Sequence, residues 1–253
     1  MRDDRRDIRL ARLDEAQRRS RERLRLQQQR IDARFERLRS RMLASEERPS
    51  DDQRRIITAA LELLDEVGLN ELSLRKLAAK LNLKAPALYW HFKNKEELID
   101  YMAEAILSEE FADLTPRAQD EPWQDWTITL CKRLRKAMLG YRDGGRIVTG
   151  AHFFPAITLV RLFETSAQSL TSAGVEEVHA ELIVSTAVHF TFGRVIEEQS
   201  GPEEDQVRKV DFAAMQEAFP YLMKSIERIQ KAGNLEQLSD EEFEESLRLI
   251  IRD

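Results

Sequence analysis

Leu-Ser-Leu-Arg-Lys-Leu-Ala-Ala-Lys-Leu-Asn-Leu-Lys-Ala-Pro-Ala-Leu-Tyr-Trp-His-Phe-Lys-Asn-Lys-Glu-Glu-Leu, residues 72–98, decides the fold. Ser73 is a helix cap, and the spacing predicts a short helix from Leu74 to about Leu81. Asn82-Leu83-Lys84 is a tight turn. A second short helix follows over Ala85–His91, with Pro86 in its first turn, where a missing N–H costs nothing. Two short helices joined by a three- to four-residue turn are a helix-turn-helix. Ala78, Ala79, Leu81, Leu88 and Phe92 supply the apolar lock between them, while Lys84, Tyr89, His91, Lys93 and Lys95 lie on or beside the outer face of the second helix, where phosphates would lie.

Outward from this unit the chain reads as helix throughout. On the N-terminal side, Ser50-Asp51-Asp52 caps a helix over Arg54–Val67 with Ile57, Ala60, Leu61 and Leu64 on one face, stopped by Gly68. On the C-terminal side, helices are expected from Glu96 to Phe111, Trp123 to Tyr141, Pro155 to Ala173, Glu176 to Glu198, Phe212 to Lys231 and Asp240 to Ile251. Arg142-Asp143-Gly144-Gly145 reads as a turn and 201–205 as an exposed loop. No period-2 strand stands out. Nine Gly and seven Pro in 253 residues are too few for a fold of many tight turns. The expected class is all-α: a three-helix helix-turn-helix DNA-binding domain (49–97), a larger helical domain (98–253), to which a family resemblance assigns effector binding and dimerisation, and a long N-terminal helix ahead of both (1–48).

Residues 1–50 hold sixteen Arg, no Lys and ten acids, a net +6; residues 51–100 are −1 and residues 101–253 are −11. A basic arm on an acidic body suggests that one end meets a polyanion. The arm has no Gly or Pro between residues 2 and 46. Leu10, Gln17, Leu24, Ile31 and Leu38 recur at heptad spacing, with Arg21, Gln28, Phe35 and Met42 as a second row. Three readings follow: a solvated helix or partly disordered arm, a short coiled coil over 24–42, or an Arg arm that touches DNA. Glu46-Glu47-Arg48-Pro49-Ser50 ends it.

Cys131 is the single cysteine, which excludes an intrachain disulfide and a Cys-based zinc site. His152, His179 and His189 are too scattered for a metal site, and no nucleophile–base pair or phosphate-binding glycine loop appears. The expectation is therefore no enzyme, no metal and no cofactor. No apolar run approaches eighteen residues and the Arg-rich start lacks an apolar core, so neither a membrane span nor a signal peptide is expected, and a cytoplasmic location is the default.

Residues 53–100, and above all Leu-Tyr-Trp-His-Phe-Lys-Asn-Lys (88–95), resemble the TetR family of bacterial transcriptional repressors. Tyr141-Arg142-Asp143-Gly144 and His189-Phe190-Thr191-Phe192-Gly193 with Glu197 resemble its tetracycline-repressor branch. The resemblance spans about 200 residues and leaves 1–50 outside. It implies that Ser73 caps the first motif helix near a phosphate and that Arg75 reaches a base or a phosphate. Lys84, Ala85, Pro86 and Ala87 would face bases, with the two Ala methyls suited to thymine. Tyr89, Trp90 and His91 would line backbone or base edges, and Lys95, with Lys93 beside it, would meet phosphate at the start of the next helix.

In that branch a histidine four residues after Arg-Asp-Gly holds a drug-bound magnesium; here the position is Val148, which cannot ligate a metal. The drug-facing polar position on the Trp123 helix is Leu130, and Glu197 matches an acidic position that assists the metal through water. The expected effector site is a largely apolar cavity from Trp126, Leu130, Leu134, Met138, Phe153, Phe154, Leu162 and Phe190, with Arg194 as a cationic contact; many of these residues also suit ordinary core. The leading expectation is a homodimeric repressor on a palindromic double-stranded operator, released by a small molecule. An activator or architectural DNA binder without ligand, and a helical ligand carrier or enzyme, are the alternatives. Glu176–Glu198 and Asp240–Ile251 are the candidate dimer helices.

Overall fold

A computed structural model describes residues 49–153, 155–200, 212–231 and 235–252, together with 15, 18, 19, 21–27, 29–34, 36 and 37. Every element among the described residues is a helix: α1 (Asp51–Glu71), α2 (Leu74–Lys80), α3 (Ala85–Tyr89), α4 (Lys95–Glu110), α5 (Trp123–Leu139), α6 (Gly144–Thr149), α7 (Ile157–Ser172), α8 (Glu177–Gln199), α9 (Phe212–Ala218), α10 (Pro220–Lys231) and α11 (Leu235–Ile250). The described arm residues are helical too. The expected all-α class holds. The Gly201–Asp205 loop and arm positions Leu10, Gln17, Gln28, Phe35, Leu38 and Met42 lie outside the described residues.

Local chemistry accounts for most boundaries. Ser50 and Gln53 form a reciprocal capping box at the start of α1. Several boundaries differ from the sequence reading: α1 spans Asp51–Glu71 with Gly68 non-helical inside it, α3 ends at Tyr89, and α11 begins at Leu235 instead of Asp240. The Arg142–Gly145 turn is shorter than expected, because α6 already begins at Gly144. The helix expected over Phe212–Lys231 is two, since α9 ends before Pro220 and α10 starts there.

One core runs through the molecule, from Leu64 and Leu77 through Leu98, Met102 and Leu107 to Leu134, Met138, Val188 and Phe243. The helix-turn-helix unit meets the rest at one corner. Gly68 turns the chain with φ +75°, which leaves the Leu69 N–H outside the α1 ladder. That N–H donates to Asp143 Oδ2 at 2.8 Å, and Asp143 itself sits in the left-handed region at φ 57°. The Arg142 N–H donates to Asp65 Oδ1 at 2.9 Å, and Arg146 Nη2 reaches Asn70 Oδ1 at 3.0 Å. Burial pushes the Asp143 carboxyl up, but the Leu69 N–H and the Arg146 and Arg142 guanidiniums outweigh it and hold the group below the usual carboxylate range. On the other side of the corner, Gln199 accepts from the Gly145 N–H at 2.9 Å and donates to Tyr141 O at 2.8 Å, tying in the end of α8. A Cβ on Gly144 would stand 2.1 Å from the Met138 carbonyl oxygen, so only glycine fits there.

Three outcomes are expected at this corner. Gly144→Ala should cost about 3 kcal/mol or more, because backbone must move to admit the methyl. Asp143→Ala should cost about 2 kcal/mol by orphaning the Leu69 N–H, and Asp143→Asn about half that, since Asn still accepts the bond and tolerates positive φ. The depressed carboxyl stabilises the fold fully above about pH 4, and that contribution should fade as pH falls below it. Thermal denaturation at pH 7 and pH 3.5 checks all three.

Candidate nucleic-acid interface and effector domain

The motif is built from the inside outward. Leu77, Ala78, Leu88 and Phe92 are buried and lock α2 to α3. The turn closes through Asn82 N–H to Ala79 O at 3.1 Å and Leu83 N–H to Ala78 O at 2.8 Å, with Asn82 in the left-handed region at φ 55°. With Leu88 anchored inward, α3 turns Pro86 and Tyr89 outward, followed by Trp90 at its C-cap. Trp90 is 88% exposed and Tyr89 57%. Two large rings left in water on a five-residue helix mark a surface made for a partner.

The predicted DNA-facing residues gather on this one side, in different environments. Ser73 Oγ accepts from the Lys76 N–H at 3.2 Å, so it caps α2 as expected. Arg75, Lys84 and Lys93 are exposed, and Ala85, Ala87 and His91 are half-buried. The His91 carbonyl accepts from Gln53 Nε2 at 3.2 Å, which braces the end of α3 against α1. Lys95 Nζ donates to Leu69 O at 2.8 Å. Its ammonium carries three donors, so two remain for a phosphate. Both backbone polar groups of Leu69 are thus held: Asp143 takes its N–H and Lys95 its carbonyl.

The eleven predicted effector residues do not gather into one cavity. Trp126, Leu130, Leu134, Met138, Val148 and Leu162 are buried in the continuous core. Phe153 is 56% exposed, and Phe154 lies outside the described residues. Phe190, Arg194 and Glu197 instead line a groove of about 590 Å³ between α8 and α11, with Arg228, Glu242 and Leu249 on its far side. Phe190 stacks on Phe243 at 5.6 Å between ring centroids. Arg194 is 2.9 Å from Glu198 and 3.6 Å from Glu197, so its charge is already answered within the chain. Sequence reasoning missed Asp143, which joins the domains, and Gln199, which ties the end of α8 to the start of α6 within the effector domain; both are polar residues flanking short turns, and only their distant partners reveal them. Among the described residues no group of three or more His, Cys, Asp or Glu could hold a metal ion.

Two acidic side chains on α4 link the motif to the effector domain. Asp100 Oδ1 accepts from the His152 N–H at 2.9 Å, and Glu104 accepts from the Thr158 N–H and hydroxyl at 2.9 and 3.0 Å. Beside Asp100, α4 places Tyr101 edge-on against Phe92, 5.6 Å between centroids, directly behind α3.

The family model for bacterial regulatory proteins of the tetR family matches residues 56–102, and that for the tetracyclin repressor-like C-terminal domain matches 115–252. The class A tetracycline repressor protein from transposon 1721 of Escherichia coli is 37% identical over 196 residues, covering 78% of this chain and 87% of that one. A solved structure of a possible TetR family transcriptional regulator from Streptomyces coelicolor A3(2) is similar with a TM-score of 0.64 at 29% identity, over 78% of this chain and 95% of that one. A single-residue variant of TetR from Acinetobacter baumannii AYE, solved in complex with minocycline, is similar with a TM-score of 0.62 at 29% identity, over 80% and 94%. An exposed, aromatic-tipped helix-turn-helix fixed to a tetracyclin repressor-like helical body establishes that this chain belongs to the TetR family of DNA-binding transcriptional regulators.

Proposed function

We propose that the chain is a homodimeric repressor that binds a palindromic operator and leaves it when a small, largely apolar effector binds. The observation that carries the DNA half is the exposed Tyr89–Trp90 pair on α3, flanked by Arg75, Lys84 and Lys93. One five-residue helix reads too few bases for specificity, and two copies about one DNA turn apart read a palindrome. The dimer would form through α8 and α11. Val178 and Leu182, one turn apart on α8, are 59% and 61% exposed, and Leu249 on α11 is 63% exposed, an apolar surface suited to a self-complementary partner. No helix among the described residues is long and apolar enough to cross a membrane, which suits a protein acting on DNA in the cytoplasm.

The effector half rests on the apolar lining. Trp126, Leu130, Leu134, Met138, Val148 and Leu162 offer no polar side chain to a ligand except the Trp126 indole N–H. They are packed together, so a ligand would occupy this region in a conformer in which they part. Such a ligand acts through its differential affinity for the two states. Asp100 and Glu104 would carry that change along α4 to Phe92 and α3. Because Val148 stands where a metal-binding histidine would, magnesium-dependent drug binding is not part of this reading.

The test is an electrophoretic shift of the DNA upstream of the chain's own gene, titrated with salt and then with hydrophobic compounds. Tyr89→Ala should weaken operator binding roughly 30-fold, as loss of about 1 kcal/mol in each of two subunits, while circular dichroism and dimer mass stay unchanged. Near-normal affinity would reject the interface. Calorimetric titration with tetracycline is expected to show no gain in affinity on adding magnesium; a clear gain would show that Val148 does not occupy the metal position.

A further inference from the structure

The N-terminal arm, which neither family model covers, has a seat on the body of the protein. Ile31, a heptad position of the arm, is only 9% exposed, and it is buried against Ile157 and Val160 of α7. Asp32 Oδ1 lies 3.0 Å from Arg161 Nη2, and Arg34 Nη1 lies 4.0 Å from Glu164 Oε1. The α7 positions 157, 160, 161 and 164 follow i, i+3, i+4 and i+7 spacing, so they form one face of that helix. Each arm residue meets it in order, as two helices laid side by side require. A coiled coil between chains would need Ile31 for its own seam; here that side chain is already engaged within the chain.

The seat is at a mechanically sensitive place. α7 starts without a side-chain cap, and its first turn is held by Glu104 of α4 through Thr158. The arm packs on the same turn from outside, through Ile157. From Thr158 the line of contact continues through Glu104 along α4 to Tyr101 and Phe92 behind the recognition helix.

We propose that the N-terminal helix is an intramolecular strap seated on the outer face of α7, and that it holds the first turn of α7 firmly against α4, the helix that fixes the recognition helix. The second clause rests on the regulator reading above; the seat itself does not. A released strap leaves α4 freer, so DNA binding must then order it at a cost in affinity.

The experiment uses the full chain with Ile31→Asp, Asp32→Arg, and the exchanged pair Asp32→Arg with Arg161→Asp. Hydrogen exchange without DNA or effector should show the amides of 157–161 and 100–105 several-fold faster in the two single variants, unchanged in 56–64, and restored in the exchanged pair. Unaltered exchange in 157–161 in both single variants would overturn the strap, as would a change of oligomer mass with α7 unaffected, which marks an intermolecular coil. Asp32→Arg should also weaken operator binding about fivefold, although it adds positive charge. Faster exchange with unchanged operator affinity would keep the seat and overturn the coupling. Because exchange is read on the protein alone, a failed operator shift speaks only against the regulator reading.

Discussion

The backbone of Leu69, held through both its N–H and its carbonyl, is the constraint on which the arrangement of this protein depends. Gly68 takes the chain out of the helix, so the Leu69 N–H faces the body instead of the α1 ladder, where Asp143 accepts it. Lys95 at the head of α4 takes the carbonyl of the same residue. A buried peptide left unpaired would cost on the order of 1–3 kcal/mol per group, so both partners are held to their places. The two left-handed residues, Gly68 and Asp143, let the chains approach closely enough for this, and the absence of a Cβ on Gly144 lets α6 turn under the Met138 carbonyl. The end of α1 is therefore tied to the effector domain by directional bonds, while α4 joins the motif to the body through the continuous apolar core.

The effector domain is held differently, by burial crossed with ion pairs. Arg135 on α5 reaches Glu198 on α8 and Asp240 on α11, with its side chain only 11% exposed. Burial works against its charge, but the two carboxylates more than offset that and hold the guanidinium above its ordinary range. Its guanidinium also lies 5.2 Å from the Phe243 ring centroid. A buried pair of this kind adds little net stability, because desolvation consumes most of the attraction; it does penalise any packing that separates the three helices. Cys131, buried on α5, is pushed up to about 12 by that burial, with a smaller opposing effect from the Thr191 hydroxyl. At neutral pH it is a thiol and behaves as a small apolar side chain.

The exposed face of the motif was legible in the sequence because its physics is local. Leu88 alternates with exposed Tyr89 and Trp90 within one turn of chain, Ser73 caps the helix that it immediately precedes, and Asn82 takes the turn conformation its short side chain favours. The effector site was less legible. Leu134, Met138 and Leu162 have the same character whether they line a cavity or fill a core, and the structure packs them as core. Phe190, Arg194 and Glu197 read as neighbours of that set, yet α8 turns them toward α11. Helical periodicity says which residues share a face; it does not say which helix the face meets.

The sequence by itself determined the helical class, the boundaries marked by Ser50, Gly68, Ser73, Asn82 and Pro86, and the side of the motif left exposed, since each rests chiefly on local interactions along the chain. Only the tertiary structure decided that Asp143 joins α1 across 74 residues of chain, that Glu104 holds the start of α7, and that the Ile31 side of the arm lies on α7. The physical reason is the same in each case. A carboxylate or an isoleucine on a helix surface carries no mark of its partner in its own neighbourhood; the partner is set by how whole helices pack, and that depends on the entire core.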